Sequence, residues 1–222
     1  MQVSVLPLWP AVVSSAVVSV PRLWSGAGAG AGVCVTTVVM SCSTLTLRLD
    51  ADADFDDPAE NTSGFFDVMG LAMLTGRGWR ALRGTIPGHR PIPESDVILA
   101  GVRDLEPYQR RRLDASEVCA VPGSIDPELF AEALSELSCR VSRIYLHVDL
   151  DALDSSEARA NEYAASGGPS IERLAQCVRL SCERLTVAGA AITAYDSLLD
   201  SEDRTMIAAR RIAKEIAIGV RR

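Results

Sequence analysis

Two groups of aspartates with a period of two residues could bind a divalent metal. Each group directly follows an apolar segment, and the members are Asp50, Asp52 and Asp54 in the first group and Asp149 and Asp151 in the second. In an extended strand, alternate side chains point to the same side, so the carboxylates within a group share a side. Clustered carboxylates repel one another unless a cation neutralises them. Oxygen donors of this kind favour Mg²⁺, Mn²⁺ or Ca²⁺.

The elements that would position these aspartates form an α/β pattern. From Leu45 onward, short apolar segments alternate with helical patterns, which predicts βαβ units and a mostly parallel sheet. The predicted strands are Leu45–Leu49, Val97–Val102, Val118–Val121, Arg143–Leu150 and Val187–Ala194, and the predicted helices are Asp126–Cys139, Ser170–Leu185 and Glu202–Ile218. Because the carboxyl ends of parallel strands line the functional crevice, we expect both aspartate groups to meet there.

Composition and charge exclude several classes of function. The chain has 222 residues, is 48% hydrophobic and carries a formal net charge of −7. An acidic protein is a poor partner for nucleic acid or an anionic membrane, so neither is expected. The six cysteines form no C-x-x-C pair, which favours reduced thiols and a cytoplasmic location. The two histidines are too few for a histidine-rich zinc site.

The N-terminal segment differs from the rest of the chain. Residues 1–47 contain a single charged residue, Arg22, and several prolines that interrupt any helix long enough to span a membrane. The tract Gly26–Gly32 fits G-x-G-x-x-A, but a β-branched segment follows it where a dinucleotide site needs a helix, which favours a low-complexity loop. We predict a low-charge segment over residues 1–44, degenerate or truncated, and an α/β domain over residues 45–222.

The first aspartate group has other interpretations. A calcium EF-hand loop is excluded, because Phe55 and Asn61 stand where it needs glycine and glutamate. A phosphatase with an aspartyl nucleophile would suit Asp50 and Asp52, although Asp54 occupies the usual Thr/Val position. An acidic surface turn is the structural alternative. The second group, placed in the same way after a strand, favours metal binding.

Several segments resemble, in order, the motifs of one enzyme family. The segments are Asp50 to Phe55, similar to D-A-H-x-D; Thr62 to Ala72, similar to S-G-N-x-H-G-M-P-L-A; Gly101 to Pro107, similar to G-x-R-D-x-D-P; and His147 to Asp154, similar to S-x-D-x-D-x-x-D-P. On these motifs the chain resembles the ureohydrolase superfamily, the manganese enzymes that include arginase, agmatinase and formiminoglutamase. The resemblance extends from about Leu45 to Ile218.

The resemblance implies a fold, a cofactor and a reaction. The fold would be a doubly wound, mostly parallel, arginase-like three-layer α/β/α sandwich, with its N-terminal strands missing or degenerate. Two Mn²⁺ ions bridged by hydroxide would be held by the two aspartate groups, and they would activate water to hydrolyse a C–N bond of a small guanidino or amidino substrate. Asp67 stands near the proton-shuttling histidine of the family, and Glu106 could contact a cationic amine. The resemblance also implies a homo-oligomeric assembly.

The chain also departs from the family pattern. Asp52 replaces a histidine ligand, and Ala194 stands where arginase-like members carry a glutamate that pairs with the guanidinium. Upstream, only Cys34 could replace a further ligand. His147 is predicted to hydrogen-bond to a metal ligand rather than to bind metal itself. The alternative hypothesis is therefore a catalytically impaired member that acts as a metal-binding or regulatory protein.

Overall fold

The structure, a computed structural model, describes residues 17–19, 36–38 and 44–220. The chain divides into two compact units: residues 1–42 with 54–93 form the smaller, and residues 43–53 with 94–222 form the larger. The glycine-alanine tract and Cys34 lie outside the described residues. The predicted division at residue 44 stays a prediction.

The smaller unit contains short elements. Strands β1 (Val17–Ser19) and β2 (Thr36–Val38) pair antiparallel. Two short helices follow, α1 (Gly70–Thr75) and α2 (Arg80–Arg83), with a 3₁₀ turn over Asp67–Met69 directly before α1.

The larger unit is built on a five-stranded, all-parallel sheet with strand order β5-β4-β3-β6-β7. The strands are β3 (Thr44–Leu49), β4 (Val97–Val102), β5 (Cys119–Pro122), β6 (Arg143–Asp149) and β7 (Thr186–Thr193). The helices are α3 (Pro107–Asp114), α4 (Pro127–Ser138), α5 (Ile171–Arg184) and α6 (Arg204–Gly219). The predicted α/β class and parallel sheet are confirmed.

The predicted strands and helices agree with the structure to within one or two residues at each end. Leu150 differs from its prediction: it begins a 3₁₀ turn over Leu150–Ala152 instead of ending strand β6. The turn is stabilised by the Asp149 side chain, which accepts a hydrogen bond from the amide of Asp151. Helix α3 was not predicted. It begins with a capping box in which the side chain of Gln109 accepts a hydrogen bond from the amide of Glu106.

The main apolar cluster of the larger unit lies on one face of the sheet. Leu45, Leu47 and Leu49 alternate along β3 with no solvent exposure, and they belong to one apolar cluster that includes Phe130 of α4 and Leu174 of α5. The opposite face of β3 is also buried, although it carries Thr46 and Arg48. Burial on both faces is characteristic of a central parallel strand.

Side-chain caps begin two of the predicted helices. The Asp126 side chain accepts hydrogen bonds from the amides of Glu128 and Leu129, and Pro127 occupies the first turn of α4. Ser170 caps α5 by accepting a hydrogen bond from the amide of Arg173. Over the residues that the structure describes, none of the helices combines the length and apolar character needed to cross a membrane.

Candidate metal centre

The register of the three strands β3, β6 and β7 places their polar residues on one face. Arg48 lies opposite His147 in the β3–β6 pair, and Asp149 lies opposite Thr193 in the β6–β7 pair. Since alternate residues share a face, Asp50, which follows β3, projects to the same side as these residues. The carboxyl ends of three adjacent parallel strands therefore carry one polar group of side chains.

Three of these side chains could share a metal ion. Ligand atoms of Asp50, His147 and Asp149 all lie within 4.8 Å of one another. Asp50 is 1% exposed, and the side chains of His147 and Asp149 are 13% and 15% exposed. Two carboxylates and one imidazole around a largely buried point form a mixed oxygen and nitrogen donor set, which fits a divalent transition metal such as Mn²⁺.

Arg48 brings a positive charge to this group. Its Nη2 atom donates a 2.6 Å hydrogen bond to Oδ2 of Asp50, with side-chain exposures of 5% and 2%. A buried carboxylate needs such a partner when no metal is bound, because an uncompensated charge in the interior is costly. The other oxygen, Oδ1, lies 3.4 Å from the amide of Asp52.

His147 is held neutral by its surroundings. Burial, and secondarily the charge of Arg48, hold the pKa of His147 well below its ordinary value. The approach of its Nε2 atom to Oδ2 of Asp149, at 3.8 Å, is therefore not an ion pair at neutral pH. A neutral imidazole retains one acceptor nitrogen, as a metal ligand requires.

Thr193 links His147 to Asp149. Its Oγ1 atom lies 3.1 Å from Nε2 of His147 and 3.1 Å from Oδ2 of Asp149. A hydroxyl has a single proton, so when it donates to Asp149 it must accept from a protonated Nε2 of His147. The same hydroxyl can instead donate to the carbonyl of Val148, at 3.4 Å, or to a neutral Nε2 of His147, so the contacts orient both candidate ligands without fixing the tautomer.

Asp151 is buried and held by a neighbouring amide. Nδ2 of Asn161 donates a 2.8 Å hydrogen bond to Oδ2 of Asp151, and the residue is 6% exposed. The segment that carries Asp151 is fixed by Arg103, whose guanidinium donates to the carbonyl oxygens of Asp151, Ala152 and Leu153 at 3.0 to 3.1 Å. Arg103 also donates to the carbonyls of Gly101, Ala165 and Ser166.

Two glycines allow the close backbone approaches that this arrangement needs. A Cβ atom on Gly168 would lie 2.5 Å from the carbonyl of Ala152 and 2.7 Å from Nη2 of Arg103. Gly101, with φ +100°, would place a Cβ atom 3.0 Å from the carbonyl of Asp50, beside the hydrogen bond from the Asp50 amide to Ala100. Side chains at either position would displace the segments that carry Asp50 and Asp151.

Asp154, the last acidic residue of the second motif, closes a loop instead of joining the cluster. Its carboxylate accepts hydrogen bonds from the hydroxyl and amide of Ser156 and from the amides of Gly167 and Gly168. The hydrogen bonds from Ser156 are the main reason that its pKa falls to about 2. The backbone of Gly167 and Gly168, which follow the motif, is thus held by the Asp154 carboxylate.

The remaining predicted site residues lie in different elements. Asp52 is half-buried two residues after Asp50, and a carboxylate oxygen of each residue lies within 4.8 Å of one on the other. Asp54 begins the second segment of the smaller unit with φ 47°, and its carbonyl accepts hydrogen bonds from the amides of Leu71 and Ala72. Asp67 is exposed at the start of the 3₁₀ turn of the smaller unit. Glu106 is exposed and caps helix α3. Their predicted roles stay predictions.

Sequence reasoning assigned no role to three residues of this site. Arg48 could have been found as a charged residue inside an apolar strand, at period two from Asp50. Thr193 is the last residue of β7, where a polar residue ends an apolar strand, but only the β6–β7 register reveals its neighbours. Asn161 lies in a loop and carries no local signal that points to Asp151.

Comparisons with known proteins identify the relatives of this fold. A family model described as "Arginase family" matches residues 37–219. Among solved structures, arginase from Bacillus caldovelox has 23% sequence identity and a TM-score of 0.71, over 78% of this chain. Formimidoylglutamase from Bacillus subtilis has 21% identity and a TM-score of 0.66, over 81% of this chain. Proclavaminate amidino hydrolase from Streptomyces clavuligerus has 19% identity and a TM-score of 0.59, over 80%.

The matched region is shorter than these relatives. The similarity covers 60% of the Bacillus caldovelox arginase, 54% of the formimidoylglutamase and 56% of the proclavaminate amidino hydrolase. At these identities the structures establish the fold alone. The curated proteins gave no match to the sequence.

Proposed function

The chain belongs to the Arginase family, and from this premise we propose that it is a metal-dependent hydrolase that cleaves a C–N bond of a guanidino or amidino compound. The proposed cofactor is Mn²⁺. The proposal follows the superfamily that the family model identifies, whereas the metal dependence and the substrate are inferred from the residues of the larger unit.

The observation that carries this proposal is the convergence of Asp50, His147 and Asp149 within 4.8 Å of one another. The three residues lie at or near the carboxyl ends of adjacent parallel strands, which is where α/β proteins place their ligands. When bound there, a divalent ion would supply Lewis acidity and would make a water molecule a stronger nucleophile at neutral pH. The donor set supports this role because it is buried, preorganised and chemically suited to such an ion.

The protein's own groups would orient the ligands. Thr193 would hold the His147 ring and the Asp149 carboxylate in one arrangement through its single hydroxyl. Arg103 would keep the Asp151 segment against the strand ends through its hydrogen bonds to backbone carbonyls. Hydrogen-bonded ligands of this kind are restricted in rotation, which favours metal affinity.

The other candidate residues have narrower proposed roles. Asp52, Asp54 and Asp151 would supply further carboxylate oxygens. Asp67, which is exposed, would exchange protons with solvent, and Glu106 would contact a cationic amine of the substrate. The capping box supports a structural role for Glu106 as well, because its side chain satisfies the first turn of α3.

A second candidate function is metal binding without hydrolysis. It is favoured by the buried pair of Arg48 and Asp50, because a guanidinium beside a ligand competes with the ion for the electron density of that carboxylate. The two functions differ in turnover but share the metal. We also propose a small-molecule substrate, a homo-oligomeric assembly and a cytoplasmic location, which the four free cysteines of the described part of the chain support.

Metal content and turnover measured together would test the proposal. The purified chain is loaded with Mn²⁺, its bound metal is measured by mass spectrometry, and release of urea or ammonia is assayed over a panel of guanidino and amidino compounds. We expect bound metal and turnover that Asp149→Ala abolishes. Asp114→Ala, which removes an exposed carboxylate at the end of α3, is the matched control and should retain both.

The outcomes separate the candidate functions. A wild-type protein that binds no metal would overturn the metal centre in both functions. Bound metal that is lost in Asp149→Ala, together with no turnover over the whole panel, would overturn the hydrolase and leave the metal-binding protein.

A further inference from the structure

The chain turns sharply directly after strand β7, beside the candidate metal centre. Thr193 ends β7 and contacts His147 and Asp149, and the next residue, Ala194, has φ +60°. A non-glycine residue in this left-handed region carries backbone strain, which persists only where the surrounding structure holds it. Strain of this kind clusters at functional sites, so the segment that the turn positions is a candidate for function.

Asp196 is the acidic residue that this turn positions. Its amide donates a 2.8 Å hydrogen bond to the carbonyl of Ala160. The residue after Ala160 is Asn161, whose side chain holds Asp151. Asp196 also follows Thr193 by three residues, a separation that spans at most about 11 Å. The backbone of Asp196 is therefore held near the residues that orient both carboxylates at and just after the end of β6.

The Asp196 carboxylate is oriented through one of its two oxygens. The amide of Leu198 donates a 2.9 Å hydrogen bond to Oδ1, which forms a local turn that is common at aspartate. Within the described part of the chain, no other group donates to this carboxylate, and the residue is half-buried. Oδ2 can therefore accept a hydrogen bond from a bound molecule.

Two other carboxylates near the strand ends differ from Asp196. Asp200, in the same loop, is buried and accepts hydrogen bonds from two amides in the first turn of α6. Asp104, which follows β4, is exposed and interacts electrostatically with the guanidinium of Arg103. Among the described residues, Asp196 belongs to neither of the groups that could hold a metal ion. Its carboxylate therefore suits an organic cation better than a metal.

We propose that Asp196 binds the cationic guanidinium or amidinium group of the substrate. These groups present N–H donors in a plane that matches the oxygens of a carboxylate, and the pairing is stronger than a neutral hydrogen bond. This inference rests on the proposed function and specifies its substrate: the end of the molecule that reacts is a cation rather than a neutral ureido group. Asp196 determines specificity and takes no part in breaking the bond.

Binding of a guanidinium and of its neutral counterpart to the full chain tests this assignment. Methylguanidine is a cation at neutral pH, whereas methylurea has nearly the same shape and no charge. Both are titrated calorimetrically into Mn²⁺-loaded wild type and Asp196→Asn, and bound Mn²⁺ is measured on the same samples. The asparagine oxygen can still accept the hydrogen bond from Leu198, so the turn is retained. We expect Asp196→Asn to bind methylguanidine roughly tenfold more weakly and methylurea as the wild type does.

Two further variants complete the test. Asp203→Asn removes an exposed carboxylate of the same loop that does not cap α6, and it should bind methylguanidine as the wild type does. Asp196→Glu keeps the charge and should bind methylguanidine more tightly than Asp196→Asn.

The outcomes separate this inference from the proposed function. Equal methylguanidine affinity in wild type and Asp196→Asn would overturn the inference, as would an equal loss in Asp203→Asn. An equal loss for methylurea in Asp196→Asn would show a structural role and would also overturn it. Wild-type protein that binds no Mn²⁺ but still binds methylguanidine through Asp196 would overturn the proposed metal centre and leave the cation site in place.

Discussion

The hydroxyl of Thr193, at the end of strand β7, lies 3.1 Å from the Nε2 atom of His147 on the neighbouring strand. Thr193 also reaches Oδ2 of Asp149 at the same distance. A single side chain on one strand thus touches two candidate ligands on another. Removal of this hydroxyl gives the first prediction.

Thr193→Val should weaken metal binding without unfolding the protein. Valine keeps the shape of threonine but removes the hydroxyl, so His147 and Asp149 lose the group that orients them. We expect Mn²⁺ affinity to fall roughly tenfold or more, measured by calorimetric titration. Thr193→Ser keeps the hydroxyl and should retain affinity within roughly threefold. Equal affinity in the valine variant and the wild type would remove Thr193 from the site.

Arg103→Met should destabilise the larger unit. The guanidinium donates to six backbone carbonyls, three of them in the segment Asp151–Leu153, and methionine would leave buried acceptors unsatisfied. We expect the free energy of unfolding to fall by about 3 kcal/mol, measured by urea denaturation. Arg111→Met replaces an exposed arginine of α3 and should change the free energy of unfolding by less than about 0.5 kcal/mol. Similar losses in both variants would contradict a specific role for Arg103.

Asp154→Asn should lower stability at neutral pH but not in acid. Hydrogen bonds, chiefly from Ser156, hold the pKa of Asp154 at about 2, below the ordinary value of 3.8. The charged carboxylate therefore stabilises the fold above pH 3.8, and this contribution is lost as the pH falls toward 2. Because the group is partly exposed, we expect a difference of only about 1 kcal/mol at pH 7.

Urea unfolding of the wild type and Asp154→Asn over this pH range provides the measurement. The difference in unfolding free energy should narrow as the pH falls below about 4. A difference that is constant with pH would mean that the asparagine acts through shape rather than charge.

Thiol reactivity should differ sharply between cysteines of the larger unit. Burial raises the pKa of Cys177 to about 12, whereas Cys139 is exposed at the end of α4. Since the thiolate is the reactive form, iodoacetamide at mildly alkaline pH should label Cys139 in the native protein and leave Cys177 unmodified. Peptide mass spectrometry would measure this, with labelling in urea as the control. Fast native labelling of Cys177 would indicate that α5 is not packed on the core.

Local sequence patterns predicted most of the strands and helices, but they did not predict which strands pair. The strand Val97–Val102 was predicted with its observed bounds, because a short apolar segment between turn signals has few alternatives. The helix predicted from Asp126 begins there for a similar local reason, because the Asp126 side chain caps its first turn. The order β5-β4-β3-β6-β7 depends on pairing between distant segments, so it was not predicted.

In the candidate site, too, local patterns predicted the carboxylates but not their partners from distant segments. Period-two aspartates after apolar strands correctly indicated that Asp50 and Asp149 would approach each other. The partners of these carboxylates could not be predicted in this way, because Arg48 interrupts an apolar pattern and Thr193 is 44 residues from Asp149. Asp154 appeared in a metal-site motif, but its environment shows a loop-closing role that only the positions of Gly167 and Gly168 explain.

The convergence of β3, β6 and β7 also has a consequence for how the protein folds. Asp50, His147 and Thr193 come from distant parts of the sequence, and Thr193 belongs to the last strand of the sheet. Contacts of such high sequence separation form late and slowly, because a long loop must close first. The complete donor arrangement therefore exists only after the C-terminal strand has joined the sheet. A metal ion bound to this donor arrangement would stabilise the folded state and would slow unfolding.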